Sequence, residues 1–150
     1  MMNIIKTIIA TALSAIATTA VAQVSKTTEE NMEKLELTQE WDKTFPQSDK
    51  VSHSKVTFRN RYGITLAADM YVPKDAGGKL AAIAVSGPFG AVKEQSSGLY
   101  AQTLAERGFL TIAFDPSFTG ESGGQPRNIA SPDLNTEDFS AAVDYLATRN

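Results

Sequence analysis

The sequence contains no cysteine, and its only histidine is His53. Without cysteine these residues can form no disulfide, supply no thiol nucleophile and bind no metal through thiolate. No group of His, Asp and Glu stands at the spacing of a metal site, so the sequence predicts no metal centre. The absence of cysteine also excludes a lipid anchor on a cysteine that follows a leader peptide.

Positive charge is scarce as well. The chain has 14 Lys and Arg against 17 Asp and Glu, which gives a formal net charge of -3. The basic residues are scattered rather than clustered, so no surface suited to a phosphate backbone is predicted. We therefore do not expect nucleic acid among the partners.

Residues 1–22 have the features of a signal peptide. Lys6 precedes an uncharged run at residues 7–19, and Ala20-Val21-Ala22 has the small residues that a signal peptidase requires. The run is shorter than the roughly 20 apolar residues that span a bilayer, which disfavours a transmembrane anchor. We predict cleavage before Gln23 and a secreted or periplasmic product with no stable membrane anchor.

Residues 23–50 are polar and charged, with widely spaced apolar residues, and Pro46 ends any helix that forms there. We name this segment the N-terminal arm and predict that it is partly helical and packs on the outside of a domain at residues 51–150. That domain begins with a predicted hairpin, because residues 61–63 form a turn between two segments of alternating polarity. One face of the hairpin should be buried, with these apolar residues: Val56, Phe58, Ile64, Leu66, Ala68, Met70 and Val72.

Two runs are strongly apolar: residues 80–85 at every position, and residues 109–114 at every position except Thr111. Such runs are typical of parallel strands that are buried on both faces. A predicted helix at about residues 96–107 connects them and ends at Gly108, so the three elements form a βαβ unit.

A loop rich in Gly, Ser and Pro follows Asp115, and a second helix is predicted after it. Asn135 should cap this helix, with Asp138 in its first turn. The apolar residues at helical spacing should dock on the sheet: Phe139, Ala142, Val143 and Leu146.

The loops after the two apolar strands carry a resemblance to a known superfamily. Residues 86–95 read Ser-Gly-Pro-Phe-Gly-Ala-Val-Lys-Glu-Gln, and residues 114–124 read Phe-Asp-Pro-Ser-Phe-Thr-Gly-Glu-Ser-Gly-Gly. The latter is similar to the Asp-x-x-Gly-x-Gly-x-Ser-x-Gly loop of α/β hydrolases, with Phe118 where Gly is common. With residues 100–109, the pattern most resembles the dienelactone-hydrolase-like and X-Pro dipeptidyl-peptidase-like branch. Residues 51–150 would then be the N-terminal half of an α/β-hydrolase sheet, a hairpin followed by parallel strands with flanking helices.

The resemblance implies the strand order 1-2-4-3-5 and an oxyanion-hole donor in the loop after the third strand. Pro88 has no N–H, so Phe89 is the first candidate donor and Gly90 the second. An ester or amide, in a small molecule or a peptide, would be cleaved through an acyl-enzyme without a cofactor. A Ser or Cys nucleophile, an Asp and a His would all follow Asn150, so this chain by itself is predicted to be inactive.

Ser122 formally matches the Gly-x-Ser-x-Gly motif of a nucleophile elbow, but we predict that it is a loop residue. A true elbow lies in a sharp strand-to-helix turn, whereas Gln125-Pro126-Arg127 and more loop follow here. In this fold the catalytic His also follows the nucleophile, and no His follows Ser122.

The remaining polar residues have simpler interpretations. His53 is predicted to be an ordinary strand or surface histidine, and Asp115 a loop organiser that accepts hydrogen bonds from backbone N–H groups. Lys93 and Glu94 are predicted to be a solvated pair near the start of a helix.

Two other classes of protein stay open. The chain could be a non-catalytic truncated fragment, or a binding module that retains half of the fold. A Rossmann-type nucleotide binder is less favoured, because no Gly-x-Gly-x-x-Gly follows a strand. The codons after Asn150 would distinguish an enzyme from a fragment.

Overall fold

A computed structural model describes residues 34–149. The predicted signal peptide and residues 23–33 of the N-terminal arm lie outside this range, so those predictions stay open. In the described range no helix combines the length and the apolar character needed to cross a membrane. The described elements are β1 (Val51–Arg59), β2 (Thr65–Pro73), β3 (Ala82–Val85), α1 (Ser96–Ala105), β4 (Leu110–Phe114) and α2 (Pro132–Ala147).

The four strands form one mixed sheet with the order β1-β2-β4-β3. β2 is antiparallel to both β1 and β4, whereas β3 and β4 are parallel. The predicted βαβ unit and the order of the first four strands are therefore confirmed. Because β3 and β4 run in the same direction, the loops that follow them leave the sheet at the same end, next to each other.

The predicted turn between β1 and β2 is confirmed, and Asn60 stabilises it. The Asn60 side-chain oxygen accepts hydrogen bonds from the N–H groups of Tyr62 at 3.1 Å and Ile64 at 3.0 Å. Gly63 has a φ of 84°, a left-handed conformation that glycine adopts without steric cost.

One face of the sheet packs against α2, but the predicted contact face of this helix is only half correct. Ala142 and Leu146 are buried, whereas Phe139 and Val143 are 41% and 57% exposed. The helix is turned so that Asp138 is buried, where its carboxylate accepts hydrogen bonds from Asn60 and Ser117. This core contains Phe58, Leu66, Ala68, Leu110, Ile112, Phe114, Ala141, Ala142 and Leu146.

The predicted start of α2 is also wrong. The helix begins at Pro132, with Ser131 at the N-cap position, rather than after Asn135. Proline suits the first turn of a helix because its fixed φ is helical and that turn needs no N–H donor. Asp138 accordingly lies beyond the first turn.

The other face of the sheet is covered by α1 and by the described part of the N-terminal arm. Residues 34–50 contain no helix or strand, so this half of the predicted arm is not helical. Trp41 packs there against a cluster that includes Tyr71 of β2, and the Trp41 indole N–H donates to the Phe45 carbonyl at 2.8 Å. β2 is therefore buried on both faces, whereas one buried face was predicted.

β3 is less buried than predicted, whereas β2 is more buried than predicted. Its four residues are exposed or half-buried, although a strand buried on both faces was expected. In the described part of the chain β3 pairs only with β4, so it lies at an edge of the sheet where fewer groups cover it.

Candidate functional site

The candidate site lies between two loops, which we name the β3 loop (residues 86–95) and the β4 loop (residues 115–131). The Ser86 hydroxyl joins their starting points by donating to the Phe114 carbonyl at 3.2 Å. A cleft of about 30 Å³ lies between the loops, which is room for one or two atoms of a ligand. It is lined by Gly87, Pro88, Phe89, Gly90, Ala91, Pro116, Thr119, Ile129, Ala130 and Asn135.

Both candidate oxyanion-hole residues lie at the tip of the β3 loop. The Ala91 N–H donates to the Pro88 carbonyl at 3.0 Å and so closes a turn around Phe89 and Gly90. The Phe89 side chain is 80% exposed, and Gly90 has a φ of 83°. Within residues 34–149 neither the Phe89 N–H nor the Gly90 N–H has a hydrogen-bond acceptor. Two backbone donors are therefore available beside the cleft.

The prediction of a solvated Lys93–Glu94 pair is wrong, because the Lys93 side chain is completely buried. Its Nζ lies 2.9 Å from Asp115 Oδ2 and 2.7 Å from Glu121 Oε2, and it also contacts Glu94. Burial opposes the charge, but the attraction of Asp115, Glu121 and Glu94 outweighs burial and raises the Lys93 pKa. Lys93 is thus a buried ammonium with carboxylate partners.

Asp115 organises the loops as predicted. Its Oδ1 accepts the Lys93 N–H at 2.8 Å, and its Oδ2 accepts the Glu121 N–H at 3.0 Å. A side chain at Gly120 would place its Cβ 2.2 Å from the same Oδ2, so only glycine allows this close approach. One carboxylate at the end of β4 thereby binds the β3 loop and the β4 loop together.

Ser122 is a buried residue of the β4 loop with both hydrogen-bonding functions of its hydroxyl in use. Its Oγ accepts from the Ala67 N–H at 2.9 Å and donates to the Asp115 carbonyl at 2.7 Å. The residues after it continue as loop to Pro132. This geometry agrees with the predicted role of Ser122 as a loop residue, since a nucleophile must present a free Oγ to its substrate.

The backbone conformation of Phe118 is one that favours glycine, the residue common at this position in similar loops. Its φ is 70°, in the left-handed region that glycine enters most readily. The conformation is stabilised by hydrogen bonds on both sides, from the Phe118 N–H to Gly123 and from the Asn128 N–H to Phe118, each at 2.9 Å. The phenyl ring is buried against Gly124, where an added Cβ would approach Phe118 Cδ1 to 2.5 Å.

An ionic cluster links the loops to the N-terminal arm. Lys55 Nζ lies 2.9 Å from Asp42 Oδ2 and 2.6 Å from Glu121 Oε2. Burial of Glu121 is outweighed by its hydrogen bonds to Lys55 and Lys93, which lower its pKa to about 2. Lys43 and Lys55 likewise overcome the burial of Asp42 and lower its pKa to about 2.

This cluster contains an arrangement that the sequence could not reveal. Carboxylate oxygens of Asp42, Glu94 and Glu121 lie within 4.8 Å of one another, a spacing at which three carboxylates can hold a cation. The ammonium groups of Lys55 and Lys93 contact these same carboxylates, so lysines supply the positive charge. The three acids are far apart in sequence, and only the fold brings them together.

His53 is a strand histidine, as predicted, and is mostly buried on β1. Its Nε2 lies 2.8 Å from Asp69 Oδ1, and its ring packs 5.2 Å from each of the rings of Trp41 and Tyr71. Lys43 Nζ approaches the same Asp69 oxygen at 3.0 Å. His53 therefore belongs to the packing between β2 and the arm.

Comparison with known proteins agrees with the architecture. The chain is 69% identical over 137 residues to the uncharacterized protein PA2218 of Pseudomonas aeruginosa, with 91% of this chain and 37% of that protein covered. The crystal structure of PA2218 matches with a TM-score of 0.75 and 77% identity over 77% of this chain and 36% of that one. No protein-family model matches the chain.

Two more distant matches are hydrolases. Thiohydrolase aneE of Aspergillus aculeatus is 30% identical over 99 residues, which cover 66% of this chain and 30% of that protein. The alpha/beta hydrolase GrgF from Penicillium has a TM-score of 0.56 and 27% identity over 63% of this chain and 32% of that structure. The described part of the chain is therefore a mixed four-stranded sheet with flanking helices that matches part of the α/β-hydrolase fold. The chain spans about a third of the length of these relatives.

Proposed function

We propose that this chain is the N-terminal part of an exported α/β hydrolase that cleaves an ester, thioester or amide through an acyl-enzyme. In this proposal the β3 loop supplies the oxyanion-hole donor, with Phe89 as first candidate and Gly90 as second. The observation that carries it is the pair of backbone N–H groups that have no acceptor within residues 34–149 and lie beside a cleft at the carboxyl end of β3.

These donors suit acyl transfer because negative charge develops on the carbonyl oxygen of the substrate in the transition state. Backbone N–H groups fixed in advance stabilise that charge without reorganising, and losing one typically costs about 3 kcal/mol. The β3 loop meets this requirement at its base, where Lys93 and Asp115 are buried and bound to each other.

The nucleophile, the acid and the His are proposed to follow Asn150. The length of the relatives supports this, since this chain corresponds to about 37% of PA2218. Assignment to the dienelactone-hydrolase-like or X-Pro dipeptidyl-peptidase-like branch also remains a proposal. The thioester is included because distant relatives are thiohydrolases.

The test uses the product of the complete reading frame and removes single N–H groups without altering side chains. Phenyllactate in place of Phe89, or glycolate in place of Gly90, converts the respective amide to an ester that cannot donate. We expect kcat on a p-nitrophenyl acyl ester to fall about 100-fold for the residue that acts as donor, with little change in KM. The same replacement at the other residue serves as the matched control.

Unchanged kcat in both ester variants would exclude the β3 loop as the oxyanion hole. No turnover by the wild-type protein on acyl esters, thioesters or amides would instead favour the truncated fragment or the binding module.

Export is tested separately, by N-terminal sequencing of secreted or periplasmic material. A mature chain that begins at Gln23 would support export, and a retained Met1 would contradict export.

A further inference from the structure

We propose that Lys93 is a positioning residue for the oxyanion-hole donors. Its buried ammonium binds the β3 loop to the end of β4 and thereby sets where the N–H groups of Phe89 and Gly90 point. This inference rests on the proposed function, and it assigns a role to a residue whose local sequence suggests only a solvated charge.

Lys93 is bound to one carboxylate at two points. Its backbone N–H donates to Asp115 Oδ1 at 2.8 Å, and its Nζ donates to Asp115 Oδ2 at 2.9 Å. A shift of the β3 loop relative to β4 would break both hydrogen bonds at once. The contact of Nζ with Glu121 at 2.7 Å adds the β4 loop to the same attachment.

The chain between Lys93 and the donors is short and tightly turned. The Ala91 N–H bonds to the Pro88 carbonyl at 3.0 Å, and the Gln95 N–H to the Val92 carbonyl at 3.1 Å. At Gly87 an added Cβ would lie 2.9 Å from the Ala91 side chain, so the two ends of the turn are in close contact. A displacement at Lys93 is therefore transmitted to Phe89 and Gly90.

Stability alone is a weak reason for a lysine at this place. A buried ion pair often contributes no more to stability than apolar residues of similar size, because desolvating two charges offsets their attraction. The ion pairs hold the ammonium between Asp115, Glu121 and Glu94, and so they attach the β3 loop to the end of β4 and to the β4 loop. A loop held in place is what a site with preorganised donors requires.

The chain offers a matched control in Lys43. Its side chain is also completely buried, and its Nζ is paired with a buried carboxylate, Asp69, at 3.0 Å. It lies on the arm, where its Nζ contacts Asp69 of β2 and the neighbouring Asp42 rather than a residue of the β3 loop. Lys43→Met and Lys93→Met therefore remove equivalent charges from two different places.

In the full-length protein we expect Lys93→Met to lower kcat at least about 30-fold with KM changed less than about threefold, as for a displaced oxyanion-hole donor. Lys43→Met should keep kcat within about threefold of wild type. A Lys93→Met protein that melts cooperatively and keeps wild-type kcat would overturn the proposal.

Two further measurements cover the other outcomes. If Lys93→Met fails to fold, the double variant Lys93→Met/Asp115→Asn removes both charges, and its kcat should show the same loss; wild-type kcat in the folded double variant would overturn the proposal. If the wild-type protein has no hydrolase activity, the proposed function fails, but amide hydrogen exchange still tests the positioning role. The hydrogen-bonded amides of the β3 loop, those of Ala91, residue 93 and Gln95, should then exchange at least about tenfold faster in a folded Lys93 variant than in Lys43→Met. Equal exchange would contradict it.

Discussion

The β3 loop and the β4 loop follow two parallel strands and lie side by side, yet the catalytic candidates in the two loops differ in their hydrogen bonding. In the β4 loop Ser122 matches a catalytic motif, but its hydroxyl is fully used in binding Ala67 and Asp115. In the β3 loop, within the described residues, the Phe89 and Gly90 N–H groups have no acceptor. A free hydrogen-bonding group beside a cleft is thus a better guide to this site than the Gly-x-Ser-x-Gly pattern.

The largest effect is expected where the two loops meet. Asp115→Ala removes the most deeply buried carboxylate partner of the Lys93 ammonium and the acceptor of two backbone N–H groups, which should cost about 3–5 kcal/mol in the free energy of unfolding. Urea denaturation of the full-length protein measures this cost. Asp75→Ala, at an exposed carboxylate, is the control and should change stability by less than about 0.5 kcal/mol. Equal stability of the two variants would mean that Asp115 does not join the loops.

A smaller effect is expected at Ser122. Ser122→Ala leaves the buried Ala67 N–H without its acceptor, which should cost about 1–3 kcal/mol in stability. The folded variant should nevertheless keep at least about a tenth of kcat, whereas loss of a true nucleophile lowers kcat about 10⁶-fold. Ser140→Ala, on the exposed face of α2, is the control for stability. Complete loss of turnover in a folded Ser122→Ala protein would show that the motif is catalytic.

The ionic cluster should make stability depend on pH in the acid range. Hydrogen bonds to Lys55 and Lys93 outweigh burial and lower the Glu121 pKa from 4.5 to about 2. A lowered folded-state pKa stabilises the protein fully above pH 4.5, and this contribution disappears as the pH falls toward 2. Glu121→Gln should therefore be less stable than wild type by about 1 kcal/mol at neutral pH, after allowance for solvent screening. Denaturation curves of both proteins from pH 7 to pH 2 should converge; a constant difference would exclude titration of Glu121 as the cause.

The smallest effect is expected at the tip of the β3 loop. Because the Phe89 ring is 80% exposed, Phe89→Ser should change stability by less than about 0.5 kcal/mol. Phe114→Ala in the core, where the ring is 1% exposed, should cost about 3–5 kcal/mol. Thermal melts of the two variants compare an exposed ring at the tip of the β3 loop with a buried ring in the core below it. A large loss at Phe89 would mean that its ring packs on a part of the protein outside the described residues.

The strands were predictable because their apolar spacing is local. Alternation marked the hairpin, and two runs that are apolar at every position but Thr111 marked β3 and β4. The second buried face of β2 was not predictable, since Asp69 is polar and its partners, Lys43 and His53, come from elsewhere in the chain.

The helix start and the role of Lys93 were missed for different reasons. Ser131 followed by Pro132 is a local start signal, and weighing it above Asn135 would have found the correct helix boundary. For Lys93, the available signal was indirect: an aspartate at the end of a buried strand needs hydrogen-bond donors, and a lysine in the neighbouring loop can supply them. The position of the free N–H groups required the turn geometry, which residue types alone do not specify.

The contacts of Trp41 make its fluorescence a probe of the packing between the N-terminal arm and the sheet. It is the single tryptophan of the 150 residues, and its ring lies 5.2 Å from the His53 ring and 5.4 Å from Lys43 Nζ. Its emission is therefore sensitive to whether the arm is seated against β2, while far-ultraviolet circular dichroism follows α1 and α2. A fluorescence midpoint below the dichroism midpoint would reveal that the arm detaches before the sheet and its helices unfold.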